Sequence, residues 1–381
     1  MRILVNALSV SNQSGRHVLL GHLAEIQRVA GGRHQFVILH HRANEEMRAA
    51  LGGAAEWHRA PAATERWWLR AVWESAFLPR LARRLSADVV FSPAGVTVAT
   101  LRIPQVCFCQ NPWCLVPSLK RTAAGRVKAA LQRHAYRAAV HQAAAMVFNS
   151  HYMLEVYSRN AGRAPAHSVI AYQAISDATH EAASRAGGPR VANQIVSVSA
   201  MAPHKGAETL VEAIGVLRQQ FDCACRLVLV GGWPDRSYER KVREAVRQQH
   251  LEDLVRFAGH VPEDELHGLY ASSRLFCLMS RCESFGIPAV EAQAFGTPVV
   301  SSNCCAIPEI CGEGGVFRDP DDVRGTANAI HELMSSQNLW EKHSQAARRN
   351  AARYRWSECS LPMLEVFDSF GERAGGYEHP R

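Results

Sequence analysis

The fold is decided by the stretch 281–292, which reads Arg281-Cys282-Glu283-Ser284-Phe285-Gly286-Ile287-Pro288-Ala289-Val290-Glu291-Ala292. The apolar run at 275–279 just before it is typical of a buried strand. Pro288 favours the first turn of a helix, so the predicted order is strand, glycine-containing turn and helix. The amide groups at such a helix start, together with the helix dipole, bind anions.

Two carboxylates bracket this predicted helix start. Glu283 lies in the turn, and Glu291 lies about one turn inside the helix. Carboxylates accept hydrogen bonds from sugar or ribose hydroxyls, while the amide groups take phosphate, so we interpret the stretch as one end of a nucleotide-sugar site. The alternative is that Glu283 caps the helix and Glu291 is an exposed helix residue.

The composition is that of an ordinary globular protein. The 381 residues are enough for two domains, and the hydrophobic content is 47% against 20% charged residues. No apolar run reaches the length needed to cross a bilayer, and the apolar run at the N-terminus is too short for a signal peptide. We therefore expect a cytoplasmic protein.

The positive charge is concentrated in the first half of the chain. Residues 1–170 contain 21 Lys or Arg and 8 Asp or Glu, a net charge of +13, whereas the remaining residues carry −5. We expect this half to contact an anionic membrane surface or a phosphate-bearing acceptor, and we expect no nucleic-acid partner. The membrane would place the protein at its inner face.

Two segments are candidates for that membrane contact. Residues 65–85 combine tryptophans with arginines, and residues 120–147 form a basic amphipathic helix with Arg126, Arg133 and Arg137 on one face. On its other face lie Val127 and Leu131. The alternatives are a core-packing helix with extended arginine side chains for the first segment and a solvated surface helix for the second.

The 11 cysteines do not predict a metal site. Their C-x-C and adjacent pairs lack the paired C-x2-C spacing of structural zinc sites. Several of them lie in apolar runs, so we expect reduced cysteines that act as small core residues. The C-x-C pairs are Cys107 with Cys109 and Cys223 with Cys225, and the adjacent pair is Cys304 with Cys305.

Short apolar runs alternate with longer amphipathic segments along the whole chain, which predicts an α/β protein with two parallel sheets covered on both faces. The stretch 176–189 is small, polar and rich in Gly and Pro, as a linker is. We expect an N-terminal acceptor-binding domain (1–172), a C-terminal nucleotide-sugar domain (173–355), and a final helix and tail (356–381) that pack back on the first domain. The predicted strands lie at 3–7, 36–39, 89–91, 106–109, 146–148, 168–170, 195–198, 227–230, 255–257, 275–279 and 299–301.

Two doubly wound domains that face each other across a cleft bind ligands beyond the carboxyl ends of their strands, so strand ends supply the candidate residues. In the second half these are Lys205, a cation for a diphosphate, Gly231 and Gly232, which permit close backbone approach, and the loop of His260, which flanks a base. In the first half Gln110, Asn111 and Ser150 follow strands, as turn residues or as partners for a sugar hydroxyl. The loop that contains Gly15, before a helix at 17–28, is either a plain connecting turn or a donor contact.

The pattern of two Glu with seven residues between them, containing Ser-Phe-Gly-Ile-Pro and followed by Ala-Gln-Ala-Phe-Gly-Thr-Pro-Val-Val, resembles the signature of glycosyltransferase family 4. The similarity extends from about 195 to 356 and more loosely over the first half. The resemblance implies a GT-B fold and a retaining glycosyltransferase that needs no metal and no cofactor, with a donor such as GDP-mannose or UDP-glucose.

Carried over to this chain, the resemblance implies that Glu291 binds the ribose and Glu283 the donor sugar. It also implies that Lys205 binds the diphosphate and that the backbone of Ser284, Phe285, Gly286 and Ile287 holds the sugar and diphosphate. Lys205 and Glu283 are thus the catalytic candidates, and no catalytic base is assigned.

Two positions depart from the family pattern. Ala200 stands where many members have an arginine for the diphosphate, and Gln110 stands where many have a histidine near the acceptor. His204 and Arg16 are candidates to compensate for the missing cation.

The predicted function is transfer of a hexose, of the mannose or glucose type, to a lipid-linked or polysaccharide acceptor in cell-envelope glycan synthesis, including lipopolysaccharide. Two alternatives stay open: a weakly active or inactive partner protein with the same fold, and a sugar-nucleotide epimerase.

Overall fold

The computed structural model describes residues 1–10, 13–51, 53, 55–117, 119 and 122–375. The chain divides into two compact units. The N-terminal unit consists of Met1–Ala174 and the segment that begins at Trp356, and the C-terminal unit consists of Ile175–Arg355.

The sheet of the N-terminal unit has seven parallel strands in the order β3-β2-β1-β4-β5-β6-β7. The chain order of its main elements is β1 (Arg2–Asn6), α1 (Gln13–Ala30), β2 (Gln35–His40), α2 (Met47–Leu51), β3 (Glu56–Arg59), α3 (Trp67–Arg84), β4 (Val89–Ser92), β5 (Gln105–Cys109), α4 (Ala123–Gln142), β6 (Ala145–Phe148), α5 (His151–Ala161) and β7 (Ser168–Ile170).

The sheet of the C-terminal unit has six parallel strands in the order β10-β9-β8-β11-β12-β13. The main elements of this unit are α6 (Asp177–Arg185), β8 (Val191–Val198), α7 (Ala207–Phe221), β9 (Arg226–Val230), α8 (Arg236–Gln248), β10 (Val255–Gly259), α9 (Glu263–Ser272), β11 (Ser273–Leu278), α10 (Ile287–Ala294), β12 (Val299–Ser302), α11 (Ile307–Cys311), β13 (Gly315–Arg318), α12 (Val323–Ser335) and α13 (Gln337–Ala351).

Two final helices, α14 (Trp356–Cys359) and α15 (Leu361–Gly375), belong to the N-terminal unit. Phe367 of α15 lies edge-on to Phe91 of β4 with ring centroids 5.4 Å apart. Asp368 accepts a hydrogen bond of 2.8 Å from Nε2 of His34. These contacts fix α15 on the sheet of this unit.

The α/β class and the two doubly wound sheets predicted from the sequence are confirmed. The central strands are apolar and buried because parallel sheets are covered on both faces, as at Ile3, Leu4 and Val5 of β1. Two strands were missed. β3 (Glu56–Arg59) is a polar strand at the edge of its sheet, and β13 (Gly315–Arg318) is only partly buried, so neither has an apolar run to reveal it.

The interpretation of 176–189 as a linker is wrong for most of that stretch. Helix α6 occupies Asp177–Arg185, and the hydroxyl of Ser176 caps it by accepting a hydrogen bond from the amide of Thr179. The small residues that suggested a linker include Ala183, which is buried. Among the helices that the structure describes, none is long and apolar enough to span a membrane.

Candidate functional site

The strand order of the C-terminal sheet changes direction between β8 and β11. These strands are hydrogen-bonded neighbours, while β9 and β10 continue to one side and β12 and β13 to the other. In open parallel sheets, ligands bind beyond the carboxyl ends of the strands at such a switch point. The loops that follow β8 and β11 carry Lys205 and Glu283, so the sequence-predicted residues lie at this position.

Gly206 sets the path of the loop after β8. It has a φ of +70° and directly precedes helix α7, and a Cβ atom at this position would lie 2.2 Å from the carbonyl oxygen of Met279. Only glycine permits this approach without strain. The two loops are also joined by a hydrogen bond of 2.7 Å from the amide of Arg281 to the carbonyl oxygen of His204.

Lys205 and Glu283 form an ion pair between the two loops. The ammonium Nζ of Lys205 lies 2.9 Å from Oε1 and 2.8 Å from Oε2 of Glu283. Each side chain is 15% exposed, so the pair is largely buried and still accessible to a ligand. The structure therefore brings the predicted diphosphate cation and the predicted sugar-binding carboxylate into direct contact.

The turn before helix α10 positions its first amide groups. Gly286 has a φ of +104°, and a Cβ atom there would lie 2.6 Å from Cδ1 of Ile307. Phe285 is buried and lies edge-on to Tyr354, with ring centroids 5.3 Å apart. The side chain of Phe285 is thus part of the core, whereas Ser284 and Ile287 are partly exposed.

Glu291 lies inside helix α10 and binds Tyr270. The hydroxyl of Tyr270 donates a hydrogen bond of 2.9 Å to Oε2 of Glu291. Burial raises the pKa of the Glu291 carboxyl, and the hydrogen bond from Tyr270 offsets part of this rise. Tyr270 thus fixes one carboxylate oxygen of Glu291 and favours its charged form.

The second group of candidates lies at the ends of β9 and β10. Gly231 has a φ of +124°, and a Cβ atom there would lie 1.9 Å from the carbonyl oxygen of Ser199. A Cβ atom on Gly232 would lie 2.6 Å from Nε2 of His260, so the histidine ring lies against this glycine. The imidazole of His260 is exposed. The structure brings Gly231, Gly232 and His260 together beside the loop after β8.

The environment of His204 favours the neutral form of its imidazole. Burial lowers the pKa of its imidazole, and the charge of Lys205 lowers it further. In its neutral form this side chain offers a hydrogen bond in the site, and its role in place of the arginine missing at Ala200 stays a prediction.

Two of the first-half candidates, Asn111 and Ser150, make local contacts within their own turn or helix. The side-chain oxygen of Asn111 accepts a hydrogen bond of 3.0 Å from the amide of Trp113, so it closes a turn. The hydroxyl of Ser150 is buried and caps helix α5 by accepting from the amide of Met153. Gln110, directly after β5, is partly exposed.

Gly15 and Arg16 lie in the first turns of helix α1, which begins at Gln13. The prediction that Gly15 belongs to a loop and that the helix starts at residue 17 is therefore wrong. Ser11 and Asn12, which complete the predicted loop, lie outside the described residues. The guanidinium of Arg16 forms an ion pair of 2.7 Å with Glu46 and donates a hydrogen bond to the carbonyl oxygen of Ala43.

Sequence reasoning missed two contributions to the site. Tyr270 lies 21 residues before Glu291, and only the fold shows that they touch. The thiols of Cys304 and Cys305 donate to the carbonyl oxygens of Ser280 and Arg281, at 3.3 and 3.4 Å. They support the loop that carries Glu283.

The eleven cysteines are all free, but the expectation that they are core residues fails at Cys223, Cys304 and Cys305, which are partly exposed. Within the described ranges, no group of three or more His, Cys, Asp or Glu side chains has the arrangement to hold a metal ion.

Two helices of the N-terminal unit present apolar side chains to solvent. On α3 the exposed fractions are 46% for Trp67, 50% for Trp68 and 51% for Phe77. On α4 they are 62% for Val127 and 55% for Leu131. These helices pack on their sheet with other residues, Leu78 and Ala82 on α3 and Tyr136 and Val140 on α4. Helix α3 thus packs on the core, as the alternative for residues 65–85 expected, while these three aromatic side chains are exposed.

Comparison with known proteins finds a family match within the C-terminal unit. Residues 183–351 match the family model described as glycosyl transferases group 1. The chain is 30% identical over 172 residues to O-antigen chain mannosyltransferase B from Escherichia coli. The aligned region covers 45% of this chain and 44% of that protein. The chain is also 30% identical over 197 residues to D-inositol 3-phosphate glycosyltransferase from Corynebacterium urealyticum, covering 50% of this chain and 46% of the relative. The matches thus span less than half of the length of these relatives.

Solved structures match over the whole chain. Sucrose-phosphate synthase from Thermosynechococcus elongatus superimposes with a TM-score of 0.77 at 17% identity, covering 98% of this chain and 99% of that chain. HepE from Anabaena, solved in complex with UDP-glucose, gives a TM-score of 0.69 at 18% identity, covering 97% and 100%. The predicted GT-B fold is confirmed, as is the predicted resemblance to the glycosyltransferase family.

Proposed function

We propose that the chain belongs to the glycosyl transferases group 1 family, whose model residues 183–351 match. We propose further that it transfers a hexose from a nucleotide sugar to a lipid-linked or polysaccharide acceptor in cell-envelope glycan synthesis. The observation that carries this proposal is the Lys205–Glu283 pair at the switch point of the C-terminal sheet. The donor is a nucleoside diphosphate hexose of the mannose or glucose type, in line with the mannosyltransferase among the relatives.

The proposed roles follow from the charges of the site. The ammonium of Lys205 binds the diphosphate together with the first amide groups of α10, and this stabilises the negative charge that develops on the leaving group. Glu283 accepts hydrogen bonds from the hydroxyls of the donor sugar. Glu291, held by Tyr270 through one oxygen, accepts from the ribose with the other.

We also propose that transfer proceeds with retention of anomeric configuration and without a metal ion. Support comes from the cation and the helix start, which supply the positive charge that a metal would otherwise provide. The base of the nucleotide lies against Gly232 and His260 in this proposal, because the glycine at the end of β9 permits close approach.

The acceptor side of the proposal rests on the exposed aromatic and basic surface of the N-terminal unit. Trp67 and Trp68 begin helix α3, and the exposed Arg66 lies just before them. Exposed tryptophan beside arginine suits the interface of an anionic membrane. We propose that the protein works at the inner, cytoplasmic face of a membrane, where a lipid-linked acceptor is presented.

The test of transfer is an assay with a panel of donors, including GDP-mannose and UDP-glucose, and a membrane extract as the source of acceptor. We expect nucleoside diphosphate release with one donor that requires the extract, and an NMR spectrum of the product that shows the retained anomer. Consumption of donor without acceptor would instead favour the epimerase. Donor binding without turnover would favour the inactive partner.

The test of membrane contact is sedimentation with vesicles of phosphatidylcholine alone or with 30% phosphatidylglycerol. We expect the protein to sediment with the anionic vesicles, and a Trp67→Ser, Trp68→Ser double variant to lose at least half of this binding. The control is Val191→Ser, which removes an exposed apolar side chain of the C-terminal unit. Equal binding of both vesicle types, or no effect of the double variant, would contradict the proposed surface.

A further inference from the structure

A second polar cluster lies at the carboxyl end of β1 in the N-terminal unit. In the order β3-β2-β1-β4, strand β1 lies where the sheet changes direction, so its end is the switch point of this sheet. Asn6 is the last residue of β1. None of the residues in this cluster belongs to the segment that matches the family model.

The side-chain amide of Asn6 forms a hydrogen bond through its nitrogen, whereas its oxygen has no hydrogen-bond partner among the described residues. Its Nδ2 donates a hydrogen bond of 2.8 Å to Oε1 of Glu74 on helix α3. The side chain is 5% exposed, and its Oδ1 has no hydrogen-bond partner among the described residues. A buried carbonyl oxygen without a donor is costly, so a ligand that donates a hydrogen bond there gains free energy on binding.

Glu74 and Arg70 complete the cluster from one turn of α3. Burial raises the pKa of the Glu74 carboxyl, while the hydrogen bond from Asn6 and the charge of Arg70 offset part of the rise. The guanidinium of Arg70 donates a hydrogen bond of 2.9 Å to the carbonyl oxygen of Leu8, just after β1. Both side chains are partly exposed, so a ligand can reach them.

We propose that Asn6, Glu74 and Arg70 bind hydroxyl groups of the sugar acceptor. A sugar hydroxyl donates to Oδ1 of Asn6 or to the carboxylate of Glu74 and accepts from the guanidinium of Arg70, so the cluster offers both partners that a pair of neighbouring hydroxyls needs. The assignment as an acceptor site rests on the proposed glycosyltransferase function, whereas the binding of a sugar can be measured without it.

The first experiment measures sugar binding directly. Methyl α-D-mannopyranoside and methyl α-D-glucopyranoside are added to the full chain, and saturation-transfer NMR reports contact with the protein. We expect a signal with one of them in the wild type that falls at least five-fold in Glu74→Gln. The control is Glu155→Gln, which changes an exposed glutamate on α5 of the same unit. No signal in the wild type, or an equal signal in both variants, overturns the inference.

The second experiment separates this inference from the proposed function. With acceptor-dependent transfer as the readout, Glu74→Gln should raise the KM for acceptor about ten-fold and leave the Kd for donor within two-fold. An unchanged acceptor KM overturns the inference while the proposed function stands. If the protein binds sugar in a way that depends on Glu74 but transfers no hexose, the sugar site stands and the proposed transfer function is overturned.

A structural role for Glu74 is tested by the melting temperature. If Glu74→Gln fails to fold, Arg70→Lys takes its place, because it keeps the charge and loses the planar pair of donors. The same loss of the sugar signal is expected for it, and an unchanged signal in folded Arg70→Lys overturns the inference.

Discussion

The two sheets have the same order around their first strand, but they present their polar residues differently. In the C-terminal unit, Lys205 and Glu283 lie on loops that directly follow β8 and β11. In the N-terminal unit, Asn6 ends β1, while Glu74 lies on helix α3, 68 residues away in sequence. A site carried by loops at strand ends can be recognised from sequence, whereas a site carried by a helix that packs over the sheet cannot.

The polar side chains of the two candidate sites also differ in whether they have partners within the protein. The Lys205–Glu283 pair is mutually neutralised and partly exposed, so a diphosphate can compete for the ammonium. In the N-terminal cluster the carbonyl oxygen of Asn6 has no partner within the described chain, and it can only accept. The first arrangement suits an anionic ligand, and the second suits a neutral ligand that carries hydroxyl groups.

The sharpest way to break this comparison is to neutralise the carboxylate of Glu283 in the C-terminal unit. Glu283→Gln should lower transfer about 100-fold and weaken donor binding, because the hydroxyls of the donor sugar lose a charged hydrogen-bond acceptor. Initial rates of nucleotide release and calorimetry with the donor measure both effects. Glu244→Gln, on the exposed face of α8, is the control. Transfer within two-fold of the wild type would show that Glu283 has no role in the reaction.

A smaller effect is expected at Tyr270, where the change should depend on pH. Without its hydroxyl, the pKa of Glu291 rises further, so the carboxylate is protonated at a higher pH and accepts fewer hydrogen bonds from ribose. In Tyr270→Phe, donor affinity should fall about 3–10-fold at the acidic end of the measured range and recover as the pH is raised.

The control for this prediction is Tyr238→Phe, whose hydroxyl accepts a hydrogen bond of 3.3 Å from the amide of Glu208. A donor Kd measured between pH 5.5 and 8.5 gives the midpoint of the loss for each protein. A parallel loss at every pH in Tyr270→Phe would indicate a packing role without influence on Glu291.

The smallest effect on the reaction is expected from Gly206→Ala, which acts on a backbone contact and is measured through stability. Gly206→Ala places a Cβ atom against the carbonyl oxygen of Met279 and should lower the free energy of unfolding by about 1–3 kcal/mol. Gly268→Ala is the control, because no atom lies within 4 Å of its added Cβ, and an alanine inside helix α9 is expected to stabilise it. Urea unfolding measures both, and equal stability of the two variants would contradict the close loop contact.

The sequence predicted the fold well because buried parallel strands leave uninterrupted apolar runs. It failed at β3 and β13, which lie at sheet edges where pairing on one side does not demand apolar residues. It failed at 176–189 because small residues form a helix as readily as a linker when their alanines pack, as Ala183 does. Composition cannot separate these two cases.

The candidate site was predictable where glycine or proline marks the backbone. Gly206, Gly286 and Pro288 indicate the loops, and the charged residues beside them lie where expected. The partners of those charges were not predictable. That Lys205 contacts Glu283 and that Tyr270 contacts Glu291 depends on sequence-distant elements that only the folded sheet brings together.

The most direct test of the donor site is calorimetric titration of the full chain with GDP, UDP and their hexose derivatives. We expect one nucleotide sugar to bind with a stoichiometry of one. Lys205→Met should weaken that binding at least ten-fold, whereas Lys241→Met, which breaks the exposed pair with Glu208, should leave it unchanged. Equal affinity in Lys205→Met and the wild type, or no binding of any nucleotide, would contradict the account that a donor diphosphate binds at the switch point of the C-terminal sheet.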